Sequence, residues 1–284
     1  GRFGLGLKTA SFSQCRKLTV VSKKAESPVS AFMLDLDFVN TTGKWDLIRR
    51  NQPEILVRLD GLASGTIVVW ENLDRLVREA REEDKEALNK FLETAESVKK
   101  HLAMVFHRFL EQGRFALFFQ QRKVEAWDPY LKGEDGLQSF PEEQLQNGQV
   151  TVKGYVLPHK SRISESTFRY AEGSKGWNEQ QGFYIYRNQR LLVAGDWLGM
   201  FRKEEHFKLA RIQVDLPNTL DAEWQIDIKK SVARLPPHLK SQLKAIASRV
   251  RAQAVEVYRH RGKNTKPFQG QRFDDELGLN WVQF

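Results

Sequence analysis

Three glycines stand within the first six residues of the chain, and a helical pattern of apolar residues follows them. Gly1, Gly4 and Gly6 give the spacing G-x-x-G-x-G, and Lys8 comes two residues after the last glycine. Without Cβ atoms, backbone N–H groups in such a turn can come close to a ligand, and the start of a helix adds partial positive charge. This chemistry suits a phosphate chain. An ordinary glycine-rich loop with a solvated lysine is the alternative.

Two common phosphate-binding motifs do not fit this segment. In a dinucleotide-binding unit the glycines follow a strand, and an acidic residue ends the next strand about 20 residues later. Here the next predicted strand, residues 17–24, ends in two lysines. The P-loop pattern G-x-x-x-x-G-K-[ST] is absent as well. The role of the glycines therefore has to be inferred from the predicted helices and strands around them.

Alternating apolar and polar residues predict a sheet in the first part of the chain, with one face covered by helices. The predicted strands cover residues 17–24, 31–38, 54–61, 64–73 and 114–127. Residues 75–111 place apolar residues at intervals of three and four, which predicts one amphipathic helix or two in sequence. His101 and His107 are expected on its polar flank, where their spacing does not suit a shared metal ion.

The second half of the chain predicts a separate domain built from strands and one long helix. Residues 127–149 are rich in Pro, Gly, Gln and acidic residues and predict a linker. Four strand candidates follow, at residues 150–158, 182–194, 208–217 and 224–231, with a hairpin turn at Arg187–Gln189. A basic amphipathic helix then carries the apolar stripe Leu239, Leu243, Ile246, Val250, Ala254 and Val257.

Composition limits the classes of protein that the chain can represent. Of its 284 residues, 45 are Lys or Arg and 36 are Asp or Glu, which gives a net charge of +9 and suits a phosphate-rich partner such as DNA. Basic residues of the second half, with Tyr170, Trp177 and Tyr258 for stacking, could form a nucleic-acid face, although solvated charges explain them equally. The single cysteine, Cys15, allows no internal disulfide and indicates a reducing compartment such as the cytoplasm. No apolar run approaches the roughly 20 residues of a membrane span.

The whole stretch from the glycine turn through Ala10 and Ser11 to the strand T-V-V-S-K resembles the third nucleotide-binding motif of the GHKL (Bergerat-fold) ATPase superfamily. The G-L-K-[ST]-[AG]-S character looks closest to the MORC and heat-shock-chaperone branches. In those families this turn ends the ATP lid, and its amide groups hold the triphosphate. The resemblance therefore implies an ATP-binding role for Gly1, Gly4, Leu5, Gly6, Leu7 and Lys8.

A second resemblance lies at residues 64–73. The sequence SGTIVVWENL is similar to the G-T-x-I strand that closes the nucleotide pocket of the superfamily, which implies that the Thr66 hydroxyl contacts the adenine region. An ordinary strand threonine is the alternative. The charged helix and apolar strand that follow resemble the end of the ATPase domain in the heat-shock chaperones.

The second half looks like the transducer domain of the same superfamily. In relatives a transducer lysine reaches the γ-phosphate from a loop after a strand, and WQIDIKKS at residues 224–231 is similar to that pattern. The resemblance implies this role for Lys230 or Lys229, with Lys230 favoured because it directly precedes Ser231. Phosphoryl transfer needs positive charge at the terminal phosphate and no covalent participation. Two solvated lysines are the alternative.

These resemblances together predict an α+β fold: a partial Bergerat-type α/β sandwich, then a transducer-like (ribosomal-protein-like) sheet-and-helix domain. The expected division is the C-terminal part of the ATP-binding domain, a linker, the transducer-like domain and a tail, at residues 1–126, 127–149, 150–262 and 263–284.

The expected activity is magnesium-dependent binding and hydrolysis of ATP, which would drive a conformational change with homodimerisation. A DNA-linked process is one setting that this activity would suit. The Glu base, the Asn metal ligand and the D-x-G-x-G motif of the family are absent from the sequence, so we expect them upstream of Gly1 and expect this chain alone to lack hydrolysis. A catalytically inactive nucleic-acid-binding or scaffold module is the alternative, and a chaperone is a weaker one.

Overall fold

The computed structural model describes residues 6–50, 53–74, 84–226 and 234–260. They form two compact units, which divide between Ala95 and Glu96. Each unit combines helices with mostly antiparallel strands, so the fold class is α+β, as the sequence predicts. None of the helices in these ranges has the length and apolar character that a membrane span needs.

The first unit is built on a four-stranded sheet with the order β3-β2-β1-β4. Its strands are β1 (Lys17–Lys23), β2 (Ser30–Asp35), β3 (Ile48–Arg49) and β4 (Gly65–Glu71). Its helices are α1 (Gly6–Phe12), α2 (Leu36–Thr42) and α3 (Pro53–Leu56), and a 3-10 turn at Val57–Leu59 continues α3. β1 pairs with both β2 and β4 in antiparallel register. The strands predicted at 17–24 and 64–73 are therefore confirmed.

The strand predicted at residues 31–38 ends at Asp35, where α2 begins. The Asp35 carboxylate accepts hydrogen bonds from the backbone N–H groups of Asp37 and Phe38, at 2.9 and 3.4 Å. This N-cap satisfies amides that a helix start otherwise leaves unpaired. Gly43, with φ of 69°, ends the helix. A polar residue in the middle of an alternating pattern therefore turns the chain from strand to helix.

The strand predicted at residues 54–61 is wrong, because this segment forms α3 and the 3-10 turn. Pro53 opens α3, a position where its fixed φ suits a helix and its missing N–H costs nothing. Ile55, Leu56 and Leu59 then pack on Val21 and the neighbouring strand residues, and Leu59 is buried. Apolar residues at this spacing suit a helical turn as well as a strand, and burial against the sheet selects the turn.

The second unit contains a six-stranded sheet in which β10 and β12 are parallel and the other pairs antiparallel. The strand order is β11-β10-β12-β9-β7, and β8 also pairs with β9. The strands are β7 (Gln138–Ser139), β8 (Glu143–Leu145), β9 (Val150–Val156), β10 (Gly182–Arg187), β11 (Arg190–Asp196) and β12 (Ala210–Leu216). The predicted hairpin is confirmed, with Asn188 and Gln189 at φ of 45° and 72° in its turn.

Four further helices lie in the described residues, and three of them fall in segments that the sequence predicts to be helical. They are α4 (Lys85–Val105), which crosses the division between the units, α5 (His107–Glu111), α6 (Glu165–Glu172) and α7 (Lys240–Arg259). α7 packs on β9 and β12, and every residue of the predicted apolar stripe is buried. The helical prediction for 75–111 is confirmed from Lys85 on, and residues 75–83 lie outside the described part.

Residues 114–127 form only a short hairpin, β5 (Phe118–Phe119) with β6 (Arg122–Lys123), rather than one strand. Gln120 and Gln121, with φ of 48° and 64°, make its turn. The predicted linker at 127–149 is also different, since it supplies β7 and β8 and buries Trp127, Tyr130, Leu131, Phe140 and Leu145. Its turn-rich composition reflects tight turns between short edge strands.

Candidate functional site

The residues predicted to bind phosphate fall at the start of α1. Gly6, Leu7 and Lys8 form its first turn, and all three are exposed. Lys8 makes no ion pair with the residues that the structure describes, so its positive charge is available to a ligand. Gly1, Gly4 and Leu5 lie outside the described residues, and their predicted role stays a prediction.

A hydrogen bond fastens the last turn of α1 to the sheet. The Trp70 indole N–H of β4 donates to Ser11 Oγ at 2.9 Å, and Ser11 is fully buried. The backbone N–H of Cys15 in turn donates to the Ser11 carbonyl oxygen at 2.9 Å, and Cys15 is buried too. These contacts place α1 on the face of the sheet that carries Trp70.

Thr66 lies on the same face of the sheet as Trp70. Successive strand residues point to opposite faces, and Thr66, Val68 and Trp70 are the more exposed residues of β4. Thr66 and Trp70 are four residue steps apart, which corresponds to about 13 Å along the strand. α1 and Thr66 therefore share one face, but no hydrogen bond joins them among the described residues. The Thr66 hydroxyl instead lies 3.4 Å from that of Ser22 on β1.

The part of this face that lies between Thr66 and Trp70 is apolar and accessible. Phe32, Val68 and Trp70 are 38%, 42% and 40% exposed, and Val20 lies between Phe32 and Val68 in the register. We call this surface the open face. The opposite face of the sheet is covered by α3 and its 3-10 turn. An exposed surface of aromatic and branched side chains suits a flat apolar group such as a nucleobase.

Ion pairs surround the end of β1 that is nearest to Cys15. Arg16 pairs with Asp37 at 2.6 Å and with Asp74 at 3.7 Å, and its pKa is raised, chiefly by the hydrogen bond to Asp37. Burial opposes ionisation of Asp35, but Lys17 at 2.9 Å and two backbone N–H groups together hold the Asp35 pKa below its usual value. These groups are already neutralised, which leaves Lys8 as an uncompensated cation on α1.

The described residues contain no cluster of three or more His, Cys, Asp or Glu that could hold a metal ion. The prediction for the two histidines is half wrong, since His101 is exposed but His107 is fully buried. His107 hydrogen bonds to Tyr186 Oη at 2.9 Å and to Glu111 at 3.1 Å, and Tyr186 accepts a hydrogen bond from Tyr130. Tyr186 is 79 residues away in sequence, so no local pattern could reveal this network.

Several of the predicted stacking and basic residues of the second half are buried or already paired within the second unit. Trp177 is buried, and Tyr258 packs against His159, His206 and Lys208. Arg187 is paired with Asp221 at 2.5 Å, and Arg249 is paired with Glu143. Tyr170 remains 41% exposed. Lys229 and Lys230 lie outside the described residues. Trp224 and Gln225, at the start of that predicted strand, lie in a turn instead, in which Trp224 is buried and Gln225 is exposed.

Comparison with known proteins gives one family for the first part of the chain. Residues 1–66 match the family model described as histidine kinase-, DNA gyrase B-, and HSP90-like ATPase. This segment contains α1 and ends at Thr66. No curated protein matches the chain.

Two solved structures are similar to the chain over most of its length. One is the 43K ATPase domain of Thermus thermophilus gyrase B in complex with an aminocoumarin, with 12% identity, a TM-score of 0.36 and coverage of 92% of this chain and 71% of that one. The other is the DNA gyrase B-subunit from Myxococcus xanthus, with 12% identity, a TM-score of 0.32 and coverage of 86% and 68%. At these TM-scores the likeness supports no correspondence between individual residues.

Proposed function

We propose that the chain is part of an ATP-binding ATPase of the GHKL type, with the nucleotide on the open face of the first unit. The match of residues 1–66 to the ATPase family carries this proposal. The shared face of α1 and Thr66 supports it, because the two segments that the resemblance assigns to the triphosphate and to the adenine are then on one side of the sheet.

In this proposal the first turn of α1 and the residues before it bind the triphosphate. The backbone of Gly1, Gly4, Leu5, Gly6 and Leu7 would supply N–H donors, and Lys8 a positive charge. The base would lie against Phe32 and Val68, with its edge near the Thr66 hydroxyl. The described residues fit such a ligand because Lys8 is unpaired and the open face is both apolar and accessible.

Lys230, with Lys229 as the alternative, is proposed to place positive charge at the terminal phosphate. Charge that is fixed where negative charge develops lowers the barrier to phosphoryl transfer. The described residues contain no group of three or more His, Cys, Asp or Glu that could hold a metal ion, and the sequence lacks the family motifs that carry the Asn metal ligand and the Glu base, so we assign neither role to a residue of this chain.

The finer consequences are also proposals. ATP binding would drive a conformational change and homodimerisation, in a protein of the MORC-like branch that acts in a DNA-linked process. The net charge of +9 is compatible with a DNA partner, and it equally supports the alternative of a nucleic-acid-binding or scaffold module without ATPase activity. A chaperone remains the weaker alternative.

Calorimetric titration of the full native protein with Mg-ATP tests the proposal. Lys8→Ala should weaken binding about tenfold, since it removes one charge-assisted phosphate contact. Lys230→Ala should keep the affinity and abolish turnover. Lys24→Ala, at an exposed position after β1, is the matched control and should change neither. Absence of ATP binding by the native protein would refute the ATPase and favour the binding module.

A further inference from the structure

A cavity of about 560 Å³ lies in the second unit, apart from every residue considered above for ATP. The second half of α4, the β5–β6 hairpin with the segment after it, and the end of α6 form its walls. Its volume is within the range of small-ligand sites, about 300–1,000 Å³. The cavity therefore has room for a ligand the size of a nucleotide.

The interior of the cavity is apolar and aromatic. Ala103 and Met104 come from α4, Phe119 from β5, and Val124 and Trp127 from the segment after the hairpin. Tyr170, which is 41% exposed, stands at its edge. Three aromatic side chains in one small cavity suit a planar ring system better than a flexible chain, because rings stack with little loss of entropy.

Hydrogen bonds hold this interior in place. The Trp127 indole N–H donates to the Tyr170 carbonyl oxygen at 2.8 Å, and the Tyr170 hydroxyl donates to the Ala126 carbonyl oxygen at 3.0 Å. Gly173, with φ of 62°, passes so close that a Cβ atom there would lie 2.7 Å from the Trp127 ring. The aromatic wall is therefore set by the fold before any ligand arrives.

The rim of the cavity is basic. Lys99 pairs with Glu96 at 2.6 Å, and Arg169 pairs with Glu165 at 3.1 Å. Three further cations, Lys100, Arg122 and Lys123, also line the cavity.

Those three side chains make no ion pair with any residue that the structure describes, and all three are exposed. Glu125 is the remaining carboxylate of the lining. A net positive rim next to an apolar interior suits an anion that also carries an apolar group.

Two cations outside the lining, Lys175 and Arg190, add positive charge near α4. The pKa of His101, which follows Lys100 in α4, is held below its usual value by partial burial and then by the charges of Lys175 and Arg190. A phosphate group, with its charge of about −1.5 to −2 and three acceptor oxygens, would gain more from this positive charge than a single carboxylate would.

We propose that this cavity binds a nucleotide unit, with its base against Met104, Phe119 and Trp127 and its phosphate at Lys100, Arg122 and Lys123. The unit can be a free nucleotide or one residue of a single-stranded nucleic acid, since both present the same base and phosphate. This site is separate from the proposed ATP site in the first unit and does not depend on it.

The test is a fluorescence anisotropy titration of the full chain with a 3′-labelled, 5′-phosphorylated oligonucleotide of about ten nucleotides, at about 50 mM salt and without magnesium. All proteins carry Lys8→Ala, so that the first unit contributes no triphosphate contact. Unlabelled oligonucleotide and AMP serve as competitors. Competition by AMP identifies the free nucleotide as the ligand, and competition by the oligonucleotide alone identifies the strand.

Two variants at exposed positions separate the charge from the cavity. Lys100→Glu with Lys123→Glu reverses the rim charge, and Ser174→Trp fills the mouth without changing any charge. Each should weaken binding about tenfold or more. The matched control, Lys240→Glu with Lys244→Glu on α7, has the same net charge as the rim variant and should stay within about twofold.

Three results would overturn the proposal. The first is no saturable binding of either ligand up to millimolar concentration. The second is unchanged binding by both cavity variants. The third is binding that the rim and control charge reversals weaken equally while Ser174→Trp has no effect, because that pattern describes attraction to overall charge and leaves the cavity empty.

Discussion

The Trp70 indole N–H and the buried Ser11 hydroxyl, 59 residues apart in sequence, are joined by a 2.9 Å hydrogen bond that holds α1 on the sheet of the first unit. The proposed phosphate-binding turn is the other end of the same helix. Its position relative to the open face therefore depends on a contact at the far end of α1.

Loss of this hydrogen bond should destabilise the first unit. Ser11→Ala and Trp70→Phe each remove one partner and should each cost about 1–2 kcal/mol in the free energy of unfolding. Because both remove the same bond, their effects should not add, and a double-mutant cycle in urea should show coupling of about 1 kcal/mol. Ser64→Ala, at an exposed position whose side chain makes no hydrogen bond with the described residues, is the control. Strictly additive effects would contradict a direct bond.

The Asp35 cap should matter more than an ordinary surface carboxylate. Asp35→Ala removes two hydrogen bonds to α2 amides and the ion pair with Lys17, so it should lower stability by about 1–2 kcal/mol. Asp46→Ala, at an exposed position that makes no ion pair with the described residues, should change the free energy of unfolding very little. Thermal unfolding of both variants checks this, and equal melting temperatures would show that the cap contributes nothing.

Glu111 should make the second unit sensitive to acid. Its pKa is lowered, first by the hydrogen bond with His107. A carboxyl group whose folded pKa lies below its unfolded value stabilises the fold above the unfolded value, near 4.3, and loses this contribution as pH falls through the folded one. Glu111→Gln should therefore flatten the fall in stability below about pH 5. Glu142→Gln, at an exposed site, should leave the slope unchanged in the same urea titrations.

Two glycines with similar backbone angles should respond differently to alanine. Gly195 and Gly199 have φ of 68° and 73°, so alanine is strained at both by about 1 kcal/mol. At Gly195 a Cβ atom would also lie 2.4 Å from the Glu179 carbonyl oxygen, whereas nothing lies within 4 Å of one at Gly199. Gly195→Ala should therefore cost about 3 kcal/mol or more in urea unfolding. Equal losses in the two variants would contradict the close approach.

Local patterns predicted the elements whose geometry is set locally. The stripe of α7 repeats at helical spacing, and the turn at Asn188 and Gln189 joins two alternating runs, so both were accessible from sequence. The structure of residues 54–61 was not accessible from sequence, because their apolar spacing fits a strand and a helical turn equally. The packing of Leu59 against Val21 in the folded unit selects the turn. The length of the β5–β6 hairpin likewise depends on two positive φ angles at glutamines, which carry no turn signal.

The sequence predicted the individual residues of the candidate site but not how the fold arranges them in space. The exposed start of α1 and the strand position of Thr66 follow from sequence, but their shared face depends on the hydrogen bond between Trp70 and Ser11, which are 59 residues apart. The cavity of the second unit was missed because its lining comes from α4, the hairpin and α6, which are brought together only by folding.

The burial of Cys15 turns the only cysteine of the chain into a built-in reporter. Burial also raises the pKa of its thiol, so little thiolate is present at neutral pH. A thiol-reactive dye can therefore label the protein only when the region around α1 opens, and the labelling rate measures how often it does. Any ligand that binds to the open face should lower the rate of Cys15 labelling. This rate therefore reports ligand binding without a radioactive or fluorescent nucleotide.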